Sequence, residues 1–225
     1  MDSFSVGMIL FEGVTQLDLT GPYEVFARMP RTTVRLIAPS LEPVRTEWGM
    51  RIIPDATFDS APPLDLICVP GGWGINAMLD DEAMLGFLRA RAPEARYVTS
   101  VCSGALLLGA AGLLRGYRAT THWMSLDLLA SFGAHPVAER VVHDRARITG
   151  GGVTAGVDFA LVVAAELFGD DVAQGIQLAI EYDPAPPFQS GSPRSAPAKV
   201  VELVTRASAS ALTQRRAIVE RRGGG

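Results

Sequence analysis

The sequence predicts an α/β fold: a doubly wound, mostly parallel sheet flanked by helices. Two observations carry this. Residues 6–11 (VGMILF), 64–69 (LDLICV) and 97–101 (YVTSV) are short apolar runs of the kind that form strands buried on both faces. Segments with helical spacing lie between them, so strand and helix alternate along the chain.

Each element follows in order. After the strand at 6–11, DLTGPYEVFARM reads as a helix with Pro22 near its start and Val25, Phe26 and Met29 recurring on one face. Residues 34–38 form the second strand. A pair of short strands flanks Trp48-Gly49, with Gly49 at the turn. The strand at 64–69 ends in PGGWG, a turn free to take positive φ. A helix with acidic residues in its first turn spans 80–90, then comes the strand at 97–101. A helix at 103–111 is closed by Gly112. A short strand at 119–121 and a helix at 123–131 come next, and 137–143 pairs with 146–149. GGGVTAG leads into an apolar helix ending at Phe168, and Asp170 or Asp171 caps a further one. Residues 183–193 (DPAPPFQSGSP) read as an ordered loop held by Phe188. The last helix covers about 197–222. No repeat and no boundary divides the chain, so 1–225 reads as one domain.

Composition narrows the function. The chain has 225 residues, 48% of them hydrophobic and 20% charged, enough for a full-sized core. A net charge of −4 argues against a nucleic-acid partner. The N-terminus carries no basic, apolar leader pattern. The apolar run at 153–168 contains Asp158 and Glu166 and is too short for a membrane span. Two cysteines make no disulfide framework, so a reducing, cytoplasmic setting is expected. No dinucleotide, P-loop or zinc spacing occurs, and no metal or cofactor is expected. The arginines of the last helix read as a solvated face.

Chemistry concentrates at Cys102. It stands where a buried strand stops and a helix begins, the thiol counterpart of a nucleophile elbow. Such a turn requires small neighbours, here Ser100 and Gly104. The helix that follows points free N–H groups at the sulfur and favours thiolate. Cys68, mid-strand, reads instead as a small core residue. An acyl- or imidoyl-transfer site also needs polar donors and a base. The Ser103 and Gly72 N–H groups are the candidate donors. For the base, His122 can face the same crevice, whereas His135 and His143 belong to the surface. Asp18, in the loop after the first strand, reads equally well as a proton carrier or as a helix N-cap.

With these residues in view, the chain resembles the ThiJ/PfpI superfamily, with a class I glutamine amidotransferase-like, flavodoxin-like fold. The resemblance rests on DLTGPYEVF, DLICVPGGWG, VTSVCSGALLLGAAGLLRGYRATTHW, ITGGGVTAGVDFALVVAAELFG and EYDPAPPFQSGSP, and covers nearly the whole chain. Within the superfamily the set is most similar to the isocyanide hydratases. The same blocks occur in the sensory half of AraC-type transcription regulators, which continue into a DNA-binding region; with the sequence running to Gly225, a regulator is the less expected reading. Peptidase-like members carry histidine after the nucleophile, where this chain has Ser103. Many members place glutamate beside the cysteine. The matching position here is Asp18, as in the hydratases, which have threonine at the position of Ser103.

The resemblance implies hydration of a small-molecule isocyanide to the N-formamide without cofactor, on a homodimer. It implies Cys102 as nucleophile, Asp18 as proton carrier and Ser103 as the hydroxyl orienting the thiol or Asp18. The pocket then draws on Gly72, Trp73, Gly151, Gly152 and Val153. The glycines leave room where a side chain would obstruct substrate, and Trp73 supplies an apolar lining. A ligand-sensing module, another cysteine-dependent hydrolase and a redox sensor are the competing expectations.

Overall fold

The computed structural model describes residues 3–223. In chain order its elements are β1 (Phe4–Ile9), α1 (Gln16–Phe26), β2 (Thr32–Ala38), β3 (Val44–Arg45), β4 (Arg51–Ile52), β5 (Ala56–Thr57), β6 (Leu66–Val69), α2 (Ile75–Met78), α3 (Glu82–Arg91), β7 (Tyr97–Val101) and α4 (Gly104–Ala110). There follow β8 (Arg118–Ala119), a 3-10 helix (Trp123–Phe132), β9 (His135–Pro136), β10 (Val141–Asp144), β11 (Arg147–Gly150), α5 (Ala155–Phe168), α6 (Asp170–Ala179) and α7 (Ala198–Gly223).

Seven strands form the main sheet in the order β10-β11-β7-β6-β1-β2-β5. All neighbours are parallel except β10 and β11. β1 sits inside the sheet. From it the chain winds outward through β2 and β5, then returns to the other side through β6 and β7. The winding direction therefore reverses between β1 and β6. Loops leaving the carboxyl ends of such strands diverge and open a crevice. The main-chain bridge between Val14 and Gly72 joins those two loops across its floor.

The central strands are apolar on both faces because helices cover both. All four residues of β6 and all five of β7 are buried. α1 packs against α5 closely, since a Cβ on Gly156 would stand 2.9 Å from Pro22 Cδ.

Several elements differ from the sequence reading. Pro22 lies in the interior of α1, not at its start, and the helix begins at Gln16 behind Thr15. Proline has no N–H, so the Asp18 carbonyl loses its helical partner. The contact between Pro22 and Gly156 holds the ring there. Asp18 is consequently inside the first turn and is not the N-cap. The helix after Phe168 starts behind Gly169, with Asp170 and Asp171 in its first turn making no side-chain cap. The segment at 123–132 is 3-10 rather than α. Phe188 is 77% exposed, so it does not anchor the proline-rich loop. Short α2 and the two-residue strands β5 and β9 carry too few residues for a periodic signal, while the strand expected at 119–121 is β8 at Arg118–Ala119.

Candidate active site

Three segments at the carboxyl ends of neighbouring strands build the site. Asp18 comes from the first turn of α1, which follows β1, Gly71 and Gly72 from the turn after β6, and Cys102 from the end of β7. Cys102 has φ of +55°, a left-handed conformation that is strained for a non-glycine residue. Hydrogen bonds hold it there. Its N–H is shared between the carbonyls of Gly150 (3.1 Å) and Gly151 (2.7 Å). Its own carbonyl accepts Thr121 Oγ1–H at 2.6 Å. The chain then enters α4 at Gly104. A Cβ there would stand 2.1 Å from the Val69 carbonyl oxygen, so only glycine permits this sharp exit.

The buried polar groups interlock around the sulfur. Asp18 is fully buried. Its Oδ2 accepts the Gly71 N–H at 2.9 Å. Its Oδ1 has no hydrogen-bond partner by distance and angle among the described residues. Burial pushes the Asp18 carboxyl up to about 7, while interaction with the Cys102 thiol and the Gly71 N–H pulls it back down. Gly71 wedges the cluster: a Cβ there would stand 2.6 Å from Ser103 N and 2.8 Å from Asp18 Oδ2.

The thiol departs from the expectation of a lowered pKa. Burial, then the Asp18 charge, raise Cys102 well above its ordinary value, and the Ser103 N–H opposes them only in part. α4 has only seven residues, and its field does not overcome the burial. Each group raises or lowers the other's affinity for a proton, so the two titrate as a coupled pair. Cys68 is fully buried in β6 and pushed up to about 12 by burial, as a core residue should be.

A cavity of about 110 Å³ opens beside the sulfur. Its wall includes Cys102, Ser103, Gly72, Trp73, Val153 and His122. Asp18 does not line it, but interacts with the Cys102 thiol that does. Gly151 and Gly152 line a neighbouring cavity of about 480 Å³, which shares His122 and Val153 with the first. A Cβ on Gly151 would make only ordinary contacts, the nearest at 3.5 Å, so steric necessity does not explain that glycine.

Two of the expected hydrogen-bonding roles change. The Gly72 N–H is donated to Ser103 Oγ at 3.1 Å, so it is not free for an intermediate. The Ser103 hydroxyl in turn donates to the Gly72 carbonyl at 3.2 Å. Ser103 therefore braces the glycine turn rather than the thiol or Asp18. Gly72 reaches this position with φ of +137°. His122 accepts the Met124 N–H on Nδ1 at 3.4 Å. Burial and the nearby Arg215 lower it to about 4, so at neutral pH it is uncharged. His135 and His143 are exposed, away from the cavity.

Thr15, Glu47, Met124, Leu212 and Arg215 line the cavity without having been singled out from the sequence, and Arg215 is the buried charge among them. Arg215 of α7 lines the cavity and is only 3% exposed. It lies in one helical stripe with Leu212 and Val219, and that placement of a cation on a buried face was the available signal.

The sequence profile of the DJ-1/PfpI family matches residues 4–166. The chain belongs to the DJ-1/PfpI family. It is 53% identical over 219 residues to a Pseudomonas putida protein named isonitrile hydratase, covering 97% of this chain and 96% of that one. A crystal structure of a THiJ/PfpI family protein from Pseudomonas syringae superposes with a TM-score of 0.95 at 44% identity, over 97% of this chain and 91% of the other. The HTH-type transcriptional regulator GbdR of Pseudomonas aeruginosa is 32% identical over 80% of this chain, which spans 51% of that regulator. This DJ-1/PfpI chain thus matches the hydratase along nearly its full length and the regulator along half of the regulator's.

Proposed function

We propose that this chain is an isocyanide hydratase, adding water to R–N≡C to give R–NH–CHO. The buried Cys102–Asp18 pair beside a small cavity is the observation that carries the chemistry. The 53% identity to the Pseudomonas putida isonitrile hydratase supports the substrate class.

The isocyanide carbon bears a lone pair and accepts a nucleophile, so it needs a thiolate and a proton together. The proton moves from Cys102 Sγ to the open Oδ1 of Asp18. Sulfur bonds to carbon and the carbon lone pair takes the proton back from Asp18. The product is the thioimidate R–N=CH–S–Cys102. Water then adds to the same carbon, losing a proton to Asp18 as the nitrogen gains one. Collapse of R–NH–CH(OH)–S–Cys102 breaks the C–S bond, and the hydroxyl proton returns to the pair. Asp18 near 7 can give and take a proton at neutral pH, as both halves require.

The cytoplasm and a homodimer belong to the same reading. Both cysteines are free, and a nucleophilic thiol needs a reducing compartment. Among the described residues no helix is long and apolar enough to cross a membrane. Leu17 and Tyr23 on α1 and Leu203 and Val204 on α7 are exposed apolar side chains that a second copy would cover.

Incubation with cyclohexyl isocyanide tests the reaction. N-formamide should form with the native protein and fall to background with Cys102→Ala and Asp18→Asn. Activity on another electrophile with none on any isocyanide would assign a different reaction.

A further inference from the structure

We propose that Arg215, delivered by the C-terminal helix, is the positive counter-charge of the Cys102–Asp18 pair and a positioning residue of the site. Asp18 and Arg215 are the two buried charged residues among those described. Each stands beside the catalytic cysteine, Asp18 behind it and Arg215 on the cavity wall.

A buried guanidinium needs a compensating charge, because desolvation disfavours it strongly. None of its hydrogen-bond partners provides one. Nε donates to Asn76 Oδ1 at 2.8 Å, Nη1 to Ser125 Oγ at 3.0 Å and Nη2 to the Gly72 carbonyl at 3.3 Å. Its face lies 5.1 Å from the Trp73 ring centroid. All four groups are neutral. Among the described residues no carboxylate forms an ion pair with it, whereas Arg206, Arg216, Arg221 and Arg222 of the same helix all have one. Glu47 also lines the cavity, but its carboxylate accepts the Thr15 hydroxyl and the Trp73 N–H, so the negative charge acting on Arg215 is the one that sulfur and Asp18 share.

Other titratable groups around the sulfur do not fill this role. His122 is uncharged at neutral pH, Cys68 keeps its proton, and Glu47 on the cavity wall adds negative charge. Without Arg215 the pair would keep a second proton up to higher pH, leaving a neutral thiol beside a neutral acid. The same side chain also fixes geometry. Asn76 Nδ2 donates to the Ala211 carbonyl at 3.0 Å while its Oδ1 receives Arg215, which clamps α7 to α2, and the Arg215 bond to the Gly72 carbonyl extends the clamp to the preceding turn. The long C-terminal helix is thereby part of the active centre.

The inference rests on Cys102 being the nucleophile, but its test needs no isocyanide. The rate of Cys102 carboxamidomethylation by iodoacetamide is followed against pH by peptide mass spectrometry. In Arg215→Met the apparent pKa of that rate should rise by about one to two pH units, with a roughly tenfold or greater drop in rate at pH 7. Arg215→Lys should restore most of the native profile because it keeps the charge. Ser125→Ala, which removes a neutral partner, should leave the profile in place. An unchanged profile in Arg215→Met, or equal shifts in the Met and Lys variants, would overturn the counter-charge role. If Arg215→Met does not fold, Arg215→Gln removes the charge while keeping polar contacts and is read by the same criteria. Native isocyanide turnover, measured in parallel, separates failure of this inference from failure of the hydratase reading.

Discussion

Replacing Asp18 by asparagine should destroy turnover and yet stabilise the fold, by an amount that grows with pH. The carboxyl has an ordinary value of 3.8 and is raised to about 7 in the folded protein, mainly by burial. A raised carboxyl binds its proton more tightly when folded. Its relative contribution to stability is therefore full below about 4 and is lost as pH rises through about 7. Each pKa unit corresponds to about 1.4 kcal/mol. With these two values the raised Asp18 carboxyl disfavours folding by roughly 2 kcal/mol at pH 5 and roughly 4 kcal/mol at pH 8. Asparagine keeps an oxygen for the Gly71 N–H but does not ionise. The stability gap between variant and native protein should thus widen by roughly 2 kcal/mol from pH 5 to pH 8. Urea denaturation at both pH values measures this directly. A gap that stays constant, or narrows as pH rises, would show that the carboxyl is not held protonated by the fold.

Substitutions at three further positions address the elbow, its brace and the neighbouring core. Gly104→Ala would bring a methyl against two backbone oxygens, those of Val69 at 2.1 Å and Pro70 at 2.7 Å. It should cost about 3 kcal/mol in urea denaturation and displace the cysteine enough to abolish turnover. Ser103→Ala removes the acceptor of the Gly72 N–H and should lower kcat about tenfold or more, whereas Ser103→Thr should retain both hydrogen bonds and activity. Cys68→Ala should leave kinetics unchanged and cost about 1 kcal/mol of stability through the lost packing of a fully buried side chain.

The legible parts of this protein were those written in local pattern. β6 and β7 are continuous apolar runs, and the end of β7 at Cys102 marked the elbow directly. Gly104 and the PGGWG turn were likewise readable, because close approach and positive φ demand glycine. What escaped depends on contacts between distant segments. Pro22 stands inside α1 because Gly156 of another helix receives its ring. The Gly72 N–H is engaged by a hydroxyl from the next turn, which no spacing rule encodes. Arg215 looked like its neighbours in an arginine-rich helix. Only the packing of α7 against the cavity separates it from Arg216, which pairs with Asp127 at the surface. The cysteine's ionisation was misjudged for a related reason. A helix terminus is visible in sequence, whereas the burial that outweighs it is not.

The central claim is covalent chemistry at Cys102 with protons exchanged through Asp18. Rapid acid quench of the protein during turnover of an isocyanide, followed by peptide mass spectrometry, tests it most directly. The account predicts an adduct on the Cys102 peptide heavier by the mass of one whole isocyanide molecule, absent in Cys102→Ala. Sustained formamide production by Cys102→Ala, or native turnover with no adduct at any quench time, would contradict it.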